Sequence, residues 1–245
     1  MRAVLISTYE LGRQPFGLAS PTAWLRDAGV EVTSFDLAVE MLDEAVVAEA
    51  DLVAFYIPMH TATRIAIAQL ERVRAVNPDA HLCFFGLYAP ANETYLRKLG
   101  VQTVLGGEFE EGLLSLVNRL RGTSEAAPAV PEPQPEPLIS LGRQQFLVPD
   151  RTTLPLLDKY AKLDAGNGEL RTVGYTEATR GCKHVCRHCP IVPVYEGRFR
   201  IVQRNVVLDD IRQQVAGGAQ HITFGDPDFF NGPAHAQSVV RALHE

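Results

Sequence analysis

No stretch of the 245-residue chain approaches the roughly 20 consecutive apolar residues that a membrane span needs. The opening run, Met1-Arg-Ala-Val-Leu-Ile-Ser7, is too short for the apolar core of a secretory signal. Cysteine is scarce: there are four, three of them clustered and the fourth, Cys83, in an apolar run, which gives no disulfide framework. Basic residues do not dominate either. With 23 Lys and Arg against 29 Asp and Glu, the formal charge is -6, which offers no electrostatic footprint for unspecific binding to nucleic acid. No internal repeat of fixed period stands out. These absences lead to the expectation of a cytoplasmic protein that acts on a small molecule or peptide, with membrane and nucleic acid set aside as partners.

What is present is ample material for a core, since 46% of the residues are hydrophobic and 21% charged. Short apolar, β-branched runs at 2–7, 30–35, 52–57, 81–85 and 103–105 read as strands. Helical spacing appears between or after them at 21–28, 61–76, 91–99 and 108–121. Repeated strand–helix units predict an α/β fold, a doubly wound and mostly parallel sheet over 1–121. In such sheets ligands bind beyond the carboxyl ends of the strands. That places candidate binding residues at Thr8 and Gly12 after the first strand and at Gly106, Gly107 and Glu108 after the last.

From Gly122 to Pro137 the composition turns to Pro, Ala, Glu and Gln, which cannot build a core and predicts an extended linker. Residues 138–245 then form a second unit. A turn-rich lead-in at 149–155 and a short helix at 156–163 precede a strand over 171–177. A helix at 206–215, a strand at 221–224 and a helix at 233–244 follow.

Between the strand at 171–177 and the helix at 206–215 lies Ala178-Thr-Arg-Gly-Cys-Lys-His-Val-Cys-Arg-His-Cys-Pro190, with Cys182, Cys186 and Cys189 spaced Cys-x3-Cys-x2-Cys. Four readings compete. The thiols can be structural and metal-free. They can hold a structural zinc together with His184 or His188, although zinc ligands more often come as two separated pairs. They can join Cys83, across the linker, in a closed four-cysteine centre. Or they can hold an iron–sulfur cluster by three thiolates, leaving one iron position for something else to fill.

Cys-x3-Cys-x2-Cys after a strand resembles the signature of the radical S-adenosylmethionine enzymes. The resemblance implies a [4Fe–4S] cluster on Cys182, Cys186 and Cys189, with the open iron binding S-adenosylmethionine. One-electron reduction then cleaves the cofactor to a 5′-deoxyadenosyl radical. His188 stands where the family usually has an aromatic residue near the adenine. Residues 196–200 and 207–215 resemble the family's connection and first barrel helix. Residues 217–226 resemble its second strand, which makes Asp226, with Asp228 second, the candidate for the methionyl amino group. Gly225-Asp-Pro-Asp228 would equally serve as a turn. Arg200 and Arg204 could neutralise the methionyl carboxylate or simply face solvent.

A sheet domain ahead of such a loop resembles the cobalamin-binding domain of cobalamin-dependent members. Gly106-Gly-Glu-Phe-Glu110 is like the Gly-Glu-x-Glu turn common there. The first loop, 7–20, lacks the Asp-x-His-x-x-Gly that supplies a cobalt ligand in other cobalamin proteins, and His60 stands alone in the third strand's loop. Ser7-Thr-Tyr-Glu-Leu-Gly12 and Pro58-Met-His-Thr-Ala-Thr-Arg64 resemble a subgroup whose members end in a Cys/selenocysteine-Ala-Glu-Pro tail. The family barrel has six strand–helix units, whereas the residues after Leu170 supply two, so the chain is expected to be the front part of a longer enzyme. The implied cofactors are the cluster, S-adenosylmethionine and, where the front domain retains it, cobalamin. The implied partners are a small-molecule or peptide substrate and an electron donor such as flavodoxin or ferredoxin. The expected outcome is cobalamin-dependent methyl transfer or radical modification. The alternative is a non-catalytic corrinoid- or metal-binding module.

Overall fold

Continuous apolar runs make strands that are buried on both faces, and those at 3–6, 52–57, 82–85 and 103–105 form the centre of the fold, with the more polar 31–36 at its edge. The structure, a computed structural model, describes residues 1–124, 135–166 and 168–244. The front unit runs Arg2–Ser7 (β1), Phe16–Asp27 (α1), Glu31–Asp36 (β2), Glu44–Ala48 (α2), Leu52–Tyr56 (β3), His60–Val76 (α3), His81–Phe85 (β4), Glu93–Lys98 (α4), Thr103–Gly107 (β5) and Phe109–Ser124 (α5). After it come Ile139–Ser140 (β6), Lys162–Asp164 (β7), Leu170–Thr176 (β8), Thr179–Gly181 (β9), Val192–Tyr195 (α6), Phe199–Ile201 (β10), Arg204–Ala216 (α7), His221–Phe224 (β11) and Pro233–His244 (α8).

The front sheet has the order β2-β1-β3-β4-β5-β6, and every pairing in it is parallel. This is the expected doubly wound sheet, with a switch point where β1 lies between β2 and β3. One face carries Val4, Ile6, Phe55 and Phe84. The other carries Leu5, Leu52 and Phe85 under Leu18 of α1 and Leu113 of α5. Phe55 and Phe84 stack at 5.0 Å between centroids.

Three features depart from the sequence expectation. Helix α1 starts at Phe16, so Pro21 lies inside it rather than at its start. The helix survives because its whole first half is buried against the sheet, and packing overrides local propensity. Helix α5 runs to Ser124, into the segment expected to be linker; residues 125–134 of that segment lie outside the described residues. Residues 156–163, expected as a short helix, form a single 3-10 turn at Leu157–Lys159 and then strand β7.

Strand β6 was not foreseen. It returns the chain to the front sheet, with Gly106 opposite Ile139 and Gly107 opposite Ser140. Two glycines make the approach feasible. Gly107 has φ +72, and a Cβ there would lie 2.1 Å from the Ser140 carbonyl oxygen.

In the second unit β8 pairs in parallel with β11 and antiparallel with β7. The order β8–α7–β11–α8 begins a parallel strand–helix layer, as expected for the first part of a barrel. Its core gathers Val206, Val207 and Ile211 of α7 with Ala178, Val202, Phe146 and Val239. Among the described residues no helix is long and apolar enough to cross a membrane.

Candidate functional site

The cysteine loop occupies 182–190, between β9 and α6. Gly181, at φ +67, turns the chain into it. A side chain there would strike the Arg198 carbonyl oxygen at 2.3 Å. All cysteines are free thiols. Cys182 and Cys189 are half-buried, Cys186 is exposed and Cys83 is buried in β4. The His184 N–H donates to Cys182 Sγ at 3.4 Å, and Cys189 N–H donates to the Cys186 carbonyl at 3.3 Å. Asn231 anchors the loop from the far side: its side-chain oxygen accepts from Lys183 N–H at 2.6 Å, and its carbonyl from Lys183 Nζ at 2.6 Å.

Among the described residues no three His, Cys, Asp or Glu side chains converge as ligands of one ion. A single zinc needs its donors about 2.3 Å from one point. An iron–sulfur cluster instead takes each thiolate on a separate iron, so its donors lie apart. Three unbridged, accessible thiols within one short loop fit that donor set, and the thiols with the greatest access are the ones that would ligate.

Asp226 follows β11. Its carboxylate accepts from Ala178 N–H at 3.2 Å and from the Thr179 hydroxyl, and it therefore braces the entry to the loop. Burial pushes its carboxyl up. Asp228 caps the Phe229–Asn231 turn through Phe230 N–H at 3.0 Å and stands 3.7 Å from His184 Nε2. His188 is exposed, as is His60 at the start of α3. Arg200 bonds the carbonyls of Leu141 and Gly142, and Arg204 bonds Ser238 at 3.2 Å.

Of the front-unit candidates, Thr8, Gly106, Gly107 and Glu108 are buried and Gly12 is half-buried. Thr8 donates to the Ala62 carbonyl at 2.9 Å, and the Gly12 carbonyl accepts from Ala161 N–H at 2.8 Å. Gly106 N–H bonds Leu138 of the β6 approach at 2.8 Å. Glu108, wholly buried, faces Arg180 Nη1 at 3.5 Å and Gln144 at 3.4 Å.

Arg180, two residues before Cys182, was not singled out in the sequence. It is 4% exposed and grips Glu110 with two bonds, at 2.7 and 2.5 Å. It also reaches Glu177 at 3.2 Å and lies over the rings of Phe16, Phe109 and Phe146. Burial drives the Glu110 carboxyl up, but the Arg180 charge and the bonds from Arg180, Ser20 and Gln144 outweigh it and hold the carboxyl below its ordinary value. Glu108, with the more distant contact, is raised by burial to about 7. A second lock joins the units: Arg151 donates twice to Asp210, at 2.8 and 2.9 Å, once to Gln14 at 2.7 Å and once to the Tyr175 carbonyl at 2.7 Å.

These contacts set Gly181 and Ile191, which flank the cysteine loop, across an open cleft from the carboxyl ends of β1, β3, β4 and β5. It has a cavity volume of roughly 160 Å3 and is lined by Glu10, Tyr56, Pro58, Leu87 and Phe109 from the front unit. Tyr175, Glu177, Ile191 and Tyr195 close the other side. No histidine lines it among the described residues, so this cleft brings no imidazole to a bound metal. Its apolar and aromatic walls suit an extended organic ligand, and they stand at the place where parallel sheets bind one. A buried, unpartnered Glu10 Oε2 offers such a ligand a polar contact.

In fold, the chain is similar to cobalamin-dependent radical S-adenosylmethionine enzymes of known structure. The radical S-adenosylmethionine methyltransferase TsrM from Kitasatospora setae, solved with cobalamin and a [4Fe–4S] cluster bound, superposes with a TM-score of 0.69 at 18% identity. That match covers 99% of this chain and 50% of TsrM. OxsB, a cobalamin-dependent S-adenosylmethionine radical enzyme solved with aqua-cobalamin and S-adenosylmethionine bound, gives a TM-score of 0.68 at 14% identity, over 100% of this chain and 37% of OxsB. In sequence, 72 residues are 36% identical to the tRNA-2-methylthio-N(6)-dimethylallyladenosine synthase of Oleidesulfovibrio alaskensis, 29% of this chain and 15% of that protein. No protein-family profile matches the chain. The chain thus spans about half the length of TsrM and less of the others.

Proposed function

We propose that the chain is the front part of a radical S-adenosylmethionine enzyme with a corrinoid-binding front sheet. The observation that carries this reading is three free, accessible cysteines on one short loop whose flanking residues, Gly181 and Ile191, line a cleft at the carboxyl ends of a parallel sheet. Cys182, Cys186 and Cys189 would hold a [4Fe–4S] cluster. Once bound, that cluster supplies the electron that breaks the sulfonium–carbon bond of S-adenosylmethionine. Arg180 and Asp226 fix the entry to the loop, Asn231 and Lys183 fix its body, and the apolar walls of the cleft would pack against the ligand. His188, exposed on the loop, is the candidate neighbour of the adenine. The loops at the carboxyl ends of the front sheet's strands would seat the corrinoid. A flavodoxin or ferredoxin is the expected electron donor, and the substrate is a small molecule or peptide that is methylated or otherwise modified.

Anaerobic reconstitution with iron and sulfide tests the cluster. The expected result is about four iron per chain, reduced to background in Cys186→Ala. Equal iron in wild type and variant, or one zinc per chain in its place, would replace this reading by that of a structural knuckle. Equilibrium dialysis with hydroxocobalamin tests the front sheet, and no binding to the folded chain would remove the corrinoid.

A further inference from the structure

Two carboxyl groups face the cleft without a task in the chemistry above. Glu10, after β1, is 8% exposed, and its Oε2 is buried with no partner among the described residues. Glu177, between β8 and β9, has a side chain 17% exposed and accepts one bond, from Arg180 Nε at 3.2 Å. The two line the same cleft and lie within electrostatic reach of each other.

The charged groups around them are already committed. Arg180 spends both terminal nitrogens on Glu110, and Arg13 lies over the Tyr175 ring at 5.1 Å. Asp36 and Arg13 also face Glu10, Asp226 and Glu110 face Glu177, and the phenols of Tyr56 and Tyr175 sense both carboxyls. Two desolvated carboxyls on the wall of one cleft resist ionising together near neutrality. Burial, then the charge of Glu177, raises Glu10 to about 8; burial raises Glu177 to about 7. A pair that keeps one proton offers one O–H donor beside carboxylate acceptors.

The complement of that pair is a group carrying N–H donors and a carbonyl acceptor on the same carbon. A ligand carboxylate would be repelled, a hydrocarbon would leave Glu10 Oε2 unpaired, and an ammonium would have no use for the donor. We infer that Glu10 and Glu177 form a subsite for a primary carboxamide of the ligand that occupies the cleft. The ionised carboxyl accepts the amide N–H, and the protonated one donates to the amide oxygen. This deepens the corrinoid reading and rests on it for the identity of the whole ligand, because the rim of a corrin ring carries carboxamide side chains.

The test uses the whole chain, titrated from pH 6 to 9.5 with cyanocobalamin, whose cobalt ligand does not titrate there, and separately with benzamide, benzoate and benzylammonium. Wild type should prefer benzamide and lose about tenfold in affinity for benzamide and cyanocobalamin between pH 7 and 9.5, the scale of one or two hydrogen bonds. Glu10→Leu should lose about as much at pH 7. Glu10→Gln, which keeps a donor and an acceptor, should retain pH 7 affinity with a flattened profile; its thermal melting curve reports folding. A pH-independent wild type, preference for benzylammonium, or an unchanged profile in Glu10→Gln overturns the subsite. Cyanocobalamin binding with no benzamide preference overturns the subsite and leaves the corrinoid reading. A benzamide profile without cyanocobalamin binding supports the subsite and removes the corrinoid.

Discussion

The guanidinium of Arg180 carries two bonds to Glu110, a third ion pair to Glu177 and three aromatic faces, all away from solvent. Burial works against its charge, and the surrounding carboxylates outweigh that cost. Removing one partner from such a set leaves the others charged and desolvated, which costs about 3–5 kcal/mol. Arg180→Met should lower the urea unfolding free energy by about that amount. A loss below about 1 kcal/mol would show that the pair is dispensable. Glu10 makes the opposite kind of demand. Its folded value, about 8, lies above its ordinary 4.5, so its contribution is complete below 4.5 and is lost as pH rises through 8. Glu177 and Glu108 act in the same sense up to about 7, whereas lowered Glu110 favours the folded state above 4.5 and weakens it only in acid. Stability should therefore fall from about pH 5 to 8 and fall less in Glu10→Gln, read from urea midpoints across that range. Cys83 is fully buried, and burial pushes its thiol far up, so alkylation of the native metal-free chain should be fast at Cys182, Cys186 and Cys189 and slow at Cys83. Four equally fast thiols would mean that the front sheet opens.

At the scale of elements, β6 depends on the two glycines opposite it. Gly107→Ala puts a side chain at a left-handed φ and against the Ser140 carbonyl, and should cost about 1–3 kcal/mol, measured by denaturant unfolding. Strands β1 to β5 were legible because each is an apolar run bounded by turn residues, and α3, α7 and α8 because their apolar spacing repeats at helical period. Strand β6 was not legible: Ile139–Ser140 is two residues long and gains its partner only through tertiary pairing. Helix α2 and strand β7, five and three residues, are equally too short to carry a period. The cysteine loop was legible from spacing alone. Arg180, Glu10 and Glu177 were missed, because a single charged residue at a strand end carries no local signal; only the convergence of β5, α5 and β9 makes one.

Across the whole molecule, two buried arginines stand between the units: Arg180 on Glu110 and Arg151 on Asp210, Gln14 and the Tyr175 carbonyl. The units should therefore unfold together, in one transition with coincident fluorescence and circular dichroism midpoints. Arg151→Met combined with Arg180→Met should separate them into two. The same clamp governs which pieces can be exchanged between relatives. A front sheet excised on its own leaves Glu108 and Glu110, at the start of α5, with no guanidinium to answer them. A foreign front sheet lacking acids at those two places would leave Arg180 with Glu177 as its one carboxylate. Portability of either half thus depends on matching three charges at a seam rather than on the length of the tether between them.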